Sequence, residues 1–209
     1  MSSAFVVFEG GDGVGKSTQV GLLAVSLTRR GIPHTITRQP GGTSLGTKLR
    51  ALILDHGHGD VAPRAEALMY AADKAQHMYE VVEPALARGE VVVSDRFVDS
   101  MIAYQGAGRD LALDEVAMVA SWATGARRPD LTVLLDADPA EAVERITAKD
   151  RLEGAGIEFH RRSRAHLLHL AQQDPARYLV LDARRSREDL AGEILAAVES
   201  VLLRARRCR

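Results

Sequence analysis

Apolar positions along the chain fall into two alternating patterns. Ala4–Phe8, Val91–Val93, Leu131–Leu135 and Tyr178–Leu181 are short unbroken apolar runs, or nearly so. Unbroken rather than alternating apolarity predicts parallel strands covered on both faces. His34–Thr37, after the Gly31-Ile32-Pro33 breaker, predicts a weaker strand. Between these runs the spacing turns helical. Val20, Leu23, Ala24 and Leu27 share one face of a helix beginning near Lys16. Leu68, Ala72, Ala75, Tyr79, Val82 and Leu86 recur at alternating steps of four and three, which predicts a long helix with that stripe buried. Asp138-Pro139-Ala140-Glu141 combines an N-cap, a proline at the first helical position and a capping-box acid. Another helix is expected around Ile157, and Leu190, Ile194, Ala197 and Val201 mark a C-terminal one. Strands alternating with helices predict an α/β fold. It is a doubly wound, five-stranded parallel sheet with helices on both faces, in one domain spanning residues 1–209. In such sheets ligands bind beyond the carboxyl ends of the strands, so those loops are where chemistry is expected.

The first of those loops is Gly10-Gly11-Asp12-Gly13-Val14-Gly15-Lys16-Ser17, followed by Thr18. It satisfies G-x-x-x-x-G-K-[ST] between a predicted strand and a predicted helix, the context the motif requires, and makes the fold a three-layer P-loop NTPase type. Backbone N–H groups and the helix N-terminus attract phosphate. Lys16 reaches β- and γ-phosphates, and the Ser17 hydroxyl suits Mg²⁺. The glycine spacing is not that of a dinucleotide fingerprint. No N-K-x-D guanine reader follows a later strand; Ala148-Lys149-Asp150 follows a predicted helix.

Composition narrows the partners. Lys plus Arg number 27 and Asp plus Glu 28, a net charge of -1, which gives no bulk electrostatic reason to expect nucleic acid. The single cysteine, Cys208, permits no intrachain disulfide and fits a reducing cytosol. The first residues lack a signal-peptide pattern, and no stretch approaches the length of an apolar membrane span. A cytoplasmic protein without membrane contact is expected. The arginines within Arg204–Arg209 read as a solvated tail. The seven histidines assemble no zinc-like spacing.

Further candidates lie at other predicted strand ends. Asp95-Arg96 follows Val91–Val93; Asp95 can hold Mg²⁺ waters or orient Lys16, and Arg96 can clamp an acceptor phosphate. Arg38-Gln39-Pro40 follows the second strand, with Arg38 another phosphate candidate and Pro40 part of a tight wall. Ser100 to Arg109, containing Tyr104 and Gln105, reads as a glycine-punctuated loop suited to a planar base and a phosphate. Tyr70 and Lys74 stand one helical turn apart, a base-stacking and base-reading pair if that face looks into the cleft and plain helix surface otherwise. Arg145, Lys149 and Arg151 flank a short lid at about 148–156, where cations can meet a transferring phosphoryl group and exclude water.

Taken in order, FEGGDGVGKST (8–18), TRQPGGTSLGTKL (37–49), YAADKAQH (70–77), DRFVDSMIAYQGAGR (95–109) and DPARYLVLDA (174–183) resemble the bacterial thymidylate kinase family over nearly the whole chain. The resemblance implies transfer of the γ-phosphoryl of ATP to dTMP, with Mg²⁺ and a homodimeric assembly. It implies that Asp12 accepts a hydrogen bond from the sugar hydroxyl, and that Arg38 and Arg96 hold the acceptor phosphate. Tyr70 stacks on the base, while Ser100, Tyr104 and Gln105 line the base and sugar pocket. Arg145 and Asp182-Ala183 border adenine, and Arg151 is the lid arginine. Gln39, Lys74 and Leu167 stand where the family more often carries Glu, Arg and Tyr, and the lid is about two residues shorter than its analogues. Kinases for another pyrimidine monophosphate such as dUMP, a nucleotide-binding regulatory module with little turnover, and a P-loop ATPase or GTPase switch are the alternatives.

Overall fold

The computed structural model describes residues 3–55, 57, 59–143 and 150–207. Its sheet contains β1 (Ala4–Gly10), β2 (His34–Arg38), β3 (Val91–Asp95), β4 (Leu131–Asp136) and β5 (Tyr178–Asp182). They run parallel in the order β2-β3-β1-β4-β5. All seven residues of β1 are buried, as its unbroken apolar run requires of a central strand. Ala4, Val6 and Phe8 join one core with Leu23, Leu27, Ile194 and Val198. Phe5 and Val7 face the other side, against Met78, Val82 and Phe97. The first face is covered by α1 (Lys16–Arg29) and α9 (Arg187–Arg207), which pack on each other. The weaker pattern of β2 has a physical reason: it is an edge strand, with Ile36 exposed.

The register decides where chemistry can occur. Phe8 pairs with Asp95 and Arg38 pairs with Asp95, so the tips of β1, β2 and β3 end side by side. In the sheet β1 is flanked by β3, beyond which lies β2, and by β4, beyond which lies β5, so the strand order reverses direction after β1's side of the sheet is filled and the crevice forms there.

Two expectations about helices are corrected. The segment from residue 63 to 87 is helical, as α3 (Pro63–His77), a π-helical stretch Met78–Val82 and α4 (Glu83–Ala87). However, Leu68, Ala72 and Tyr79 of the expected stripe are exposed. The buried face instead carries Glu66, Ala67, Tyr70, Ala71, Asp73, Lys74 and His77. That face is largely polar because Tyr70 and Lys74 line the cleft while Glu66, Asp73 and His77 bond to protein groups around it, so apolar spacing marked the opposite side. The widened π turn then rotates the register and buries Val82.

The expected glycine-punctuated loop at 100–109 is also helical: α5 (Val98–Met101) continues into a π-helical stretch, Ile102–Gly108. Its i→i+5 bonding runs past the end, with Arg109 N–H donating to the Tyr104 carbonyl at 3.0 Å. A Cβ on Gly108 would meet the Phe159 ring at 2.5 Å, so this glycine serves close packing against α8 (Ile157–Gln173) rather than a turn.

Three more helices complete the layers: α2 (Ser44–Leu54), α6 (Leu113–Ala123) and α7 (Pro139–Val143). Thr43 caps α2 by accepting from Gly46 N–H at 2.9 Å, and Asp138 accepts from Ala140 N–H at 2.9 Å at the predicted start of α7. Among the described residues no helix is long and apolar enough to cross a membrane.

Candidate active site

Beyond the strand tips lies a cleft of about 470 Å³, within the usual range of small-molecule sites. The P-loop forms one wall. Gly10 is at φ 134°, and a Cβ there would sit 2.3 Å from the Leu135 carbonyl oxygen, so only glycine lets β1 pass this close to β4. Lys16, buried at the start of α1, donates through Nζ to the carbonyls of Gly10 at 3.1 Å and Gly11 at 2.5 Å. Burial and the nearby Arg96 charge push its ammonium down to about 8, against the pull of Asp12, Asp95 and Glu9. Ser17 Oγ donates to Asp95 Oδ2 at 3.0 Å, joining the P-loop to the tip of β3.

Arg96, the next residue, is held in an unusual way. Its φ is 70°, a left-handed conformation uncommon outside glycine. Three bonds sustain it. Arg96 N–H donates to the Phe8 carbonyl at 2.8 Å, and Ser94 Oγ donates to the Arg96 carbonyl at 2.8 Å. Phe97 N–H donates to Glu9 Oε1 at 2.9 Å. The guanidinium then turns over the P-loop. Nη1 donates to the Gly10 carbonyl at 3.0 Å and to Ser100 Oγ at 2.9 Å, and Nη2 donates to Asp12. Tyr104 OH donates to the other Asp12 oxygen at 3.2 Å, and its ring lies 5.0 Å from the Arg96 guanidinium. Burial alone would raise Asp12, but Arg96 and Lys16 outweigh it and hold the carboxyl at about 2.

Glu9, completely buried at the end of β1, organises this corner. It accepts from the N–H groups of Phe97 and Ser100 and from Ser100 Oγ. Burial and the nearby Asp99 carboxylate raise it above the ordinary glutamate range.

The opposite wall comes from α3. Tyr70 and Lys74 are both buried and line the cleft, with Lys74 Nζ 5.6 Å from the Tyr70 ring centroid. The geometric condition set on this pair holds: both side chains line the cleft. Burial lowers the Lys74 ammonium to about 8. Beneath them His77 accepts or donates between Thr37 Oγ1 at 2.6 Å and Gln39 Nε2 at 2.7 Å.

A match to the thymidylate kinase family model covers residues 8–194. The chain is 57% identical to the thymidylate kinase of Cutibacterium acnes (strain DSM 16379 / KPA171202) over 204 residues, covering 98% of this chain and all of that one. It is 48% identical to the thymidylate kinase of Clavibacter michiganensis subsp. michiganensis (strain NCPPB 382), covering 97% of each. The fold superposes on the crystal structure of thymidylate kinase from Ehrlichia chaffeensis with a TM-score of 0.80 at 28% identity, covering 95% of this chain and 100% of that one. The chain belongs to the thymidylate kinase family.

The cleft of this thymidylate kinase family member gathers most of the residues expected from sequence. Asp12, Gly13, Gly15, Lys16, Ser17, Thr18, Arg38, Pro40, Tyr70, Lys74, Asp95, Arg96, Ser100, Tyr104 and Gln105 all line it. Gly10, Gly11 and Val14 of the P-loop line instead a second, small cavity, and the Val14 side chain belongs to the core. Arg145 and Lys149 lie outside the described residues.

Arg151 does not line the cleft. Its Nη2 donates to the buried carboxylate of Glu66 and its Nε to the Ile53 carbonyl at 2.9 Å, so a strong acceptor pair holds it beside α3. The lid residues that do line the cleft are Asp150, Leu152 and Glu153. Sequence reasoning did not single out Arg50, Leu54 or Met101, which also line it. Glu66 and Glu9 were missed as well. Their signal was the placement of an acid within otherwise apolar surroundings, which only the packing makes visible.

Proposed function

We propose that the cleft binds ATP and dTMP end to end, within a single catalytic domain, and that the residues gathered there carry the transfer. As a thymidylate kinase family member, the chain phosphorylates dTMP at the expense of ATP, giving dTDP and ADP. One observation carries the residue-level reading. Lys16 on the donor side and Arg96 on the acceptor side both donate to the same carbonyl, that of Gly10, at 3.1 and 3.0 Å. The two cations therefore stand next to each other, which supports a meeting of donor and acceptor phosphates between them.

The nucleophile is already an anionic phosphate oxygen, so no strong general base is needed. Rate comes from in-line positioning and charge neutralisation. The P-loop amides and Lys16 grip the β- and γ-phosphates. Arg96 and Arg38 hold the phosphate of dTMP. Asp12 and Tyr104 meet the sugar, Tyr70 stacks on the base, and Lys74 faces a base carbonyl. Arg145 borders adenine. Arg151 reaches the transferring group only by leaving Glu66, whose charge Arg109 continues to meet at 3.2 Å.

Ser17 Oγ and Asp95 Oδ2 are hard oxygen donors 3.0 Å apart at the phosphate end of the cleft. Among the described residues no cluster of three or more His, Cys, Asp or Glu could hold a metal. A cation that keeps several of its own waters needs only such a pair, so this donor set suits Mg²⁺. Bound there, Mg²⁺ would neutralise charge on the ATP phosphates.

The assembly reading is a homodimer. Leu68 and Tyr79 of the helix spanning 63–87 and Met118 and Trp122 of α6 are strongly exposed, Trp122 at 84%. The helices α3 and α6 pack side by side, and an apolar face of this kind marks an interaction surface. The place of action is the cytoplasm, in dTTP synthesis, with no nucleic-acid or membrane partner.

ADP release coupled to dTMP addition tests the function. Turnover dependent on both ATP and dTMP, abolished in Lys16→Ala, is expected; absence of dTMP-dependent ADP release in the wild type overturns it. The regulatory-module, dUMP-kinase and ATPase readings are not favoured by the family matches.

A further inference from the structure

Glu66 does not line the cleft, yet it is completely buried and closely surrounded by donors. Its Oε1 accepts from Gln105 Nε2 at 3.0 Å and Arg109 Nε at 3.2 Å. Its Oε2 accepts from Arg109 Nη2 at 3.2 Å and from Arg151 Nη2. Gln105 and Arg109 lie four residues apart, at the end of one helix, and both reach back to α3.

An amide is ambiguous by itself, because turning its last torsion by half a revolution exchanges oxygen for nitrogen. An ionised carboxylate is not ambiguous, since it can only accept. Burial would raise Glu66, but the hydrogen bonds of Arg109 and Gln105, and then Arg151, hold it below the ordinary glutamate range. The Gln105 nitrogen is therefore committed to Glu66. Gln105 lines the cleft beside Tyr70, Lys74 and Met101, and the group left for the cleft is its carbonyl oxygen. Lys74, an ammonium, can only donate.

The cleft thus offers a base one donor and one acceptor. A uracil-type ring presents a carbonyl next to a ring N–H, which matches. Cytosine presents an amino group next to a bare ring nitrogen, which opposes both. We infer that Glu66 is a positioning residue for base specificity: by fixing which end of the Gln105 amide faces the cleft, it selects uracil-type monophosphates over cytosine-type ones. This rests on the reading of the cleft as the dTMP site. It goes beyond that reading in assigning the discrimination to a residue that touches neither substrate.

The test compares kcat/KM for dTMP and dCMP in the wild type, Glu66→Gln, Gln105→Met and the double variant. In Glu66→Gln the partner can donate as well as accept, so the Gln105 amide is free to turn. The dTMP-to-dCMP ratio is expected to fall by roughly tenfold or more, through KM, with the KM for ATP little changed. In the Gln105→Met background the same substitution should alter the ratio by less than about twofold, since Glu66 then has nothing to orient. A uniform loss for both nucleotides with the ratio intact overturns the proposal and makes Glu66 an anchor for the arginines only. So does an undiminished effect in the Gln105→Met background. Should Glu66→Gln not fold, calorimetry on the wild type with N3-methyl-dTMP tests the same orientation. Binding weaker than dTMP by about tenfold or more is expected, and equal affinity overturns the proposal. Failure of the wild type to phosphorylate dTMP would remove the function reading and this proposal together, whereas normal dTMP turnover with an unchanged ratio removes this proposal alone.

Discussion

Arg96 Nη2 donates to the Asp12 carboxylate, tying the tip of β3 to the P-loop across the middle of the cleft. The pair couples the Arg96 guanidinium to the P-loop, on the proposed reading the acceptor-side cation to the donor-side loop. Arg96→Ala is expected to lower kcat/KM for dTMP by about 10³, the scale of a transition-state arginine. The KM for ATP should change much less, because Lys16 keeps its own carbonyl partners. Steady-state kinetics with each substrate varied checks the split; equal losses on both sides would speak against the assignment.

His77 supplies a pH dependence. Burial and the neighbouring Lys74 charge lower it from 6.5 to about 4, so it is neutral in the fold at ordinary pH. The unfolded chain takes up a proton at this side chain between those two values and the folded chain does not. Stability therefore falls as pH drops from about 6.5 to about 4, by roughly 3 kcal/mol at most from this group. Urea midpoints measured across that range should fall, and His77→Gln should flatten the slope.

Trp122 and Tyr79 give the assembly its test. They stand 84% and 80% exposed, a large apolar surface to leave in water. Trp122→Glu is expected to shift the protein towards monomer in sedimentation velocity, with a gain in solubility of that species. An unchanged sedimentation coefficient would overturn the proposed dimer contact at this face.

Gly108 bears on the helical reading of residues 98–108. An added methyl would meet Phe159 ring atoms at 2.5 and 2.9 Å and Ser163 Oγ at 3.0 Å, on a helix that cannot easily retreat. Gly108→Ala is expected to cost about 1–3 kcal/mol in chemical denaturation. Phe159→Leu combined with it should recover part of the loss.

The sheet was legible because parallel strands buried on both sides must be apolar throughout, and the P-loop because its chemistry needs a fixed spacing. The helix bearing Tyr70 and Lys74 was legible as a helix but not in its orientation. A buried side that carries Glu66, Asp73, Lys74 and His77, with Tyr70 and Lys74 lining the cleft, inverts the rule that the apolar stripe is the buried one. The stretch containing Gly106 and Gly108 misled for a related reason: glycine spacing reports close approach as readily as a turn, and only Phe159 distinguishes them. Arg151 was named for its charge, but its position depends on Glu66, 85 residues away in sequence. Such partnerships have no local signature.

The left-handed backbone at Arg96 sets durability against turnover at one Cα. A side chain at φ 70° costs about 1–2 kcal/mol that glycine would not incur. Arg96→Gly should accordingly melt higher than Arg96→Ala, although both lack the guanidinium and both should lose about 10³ in kcat/KM for dTMP. Once the arginine is lost and no product is demanded, a selection for heat resistance alone would be expected to settle on glycine rather than alanine at this position, in a chain that barely works.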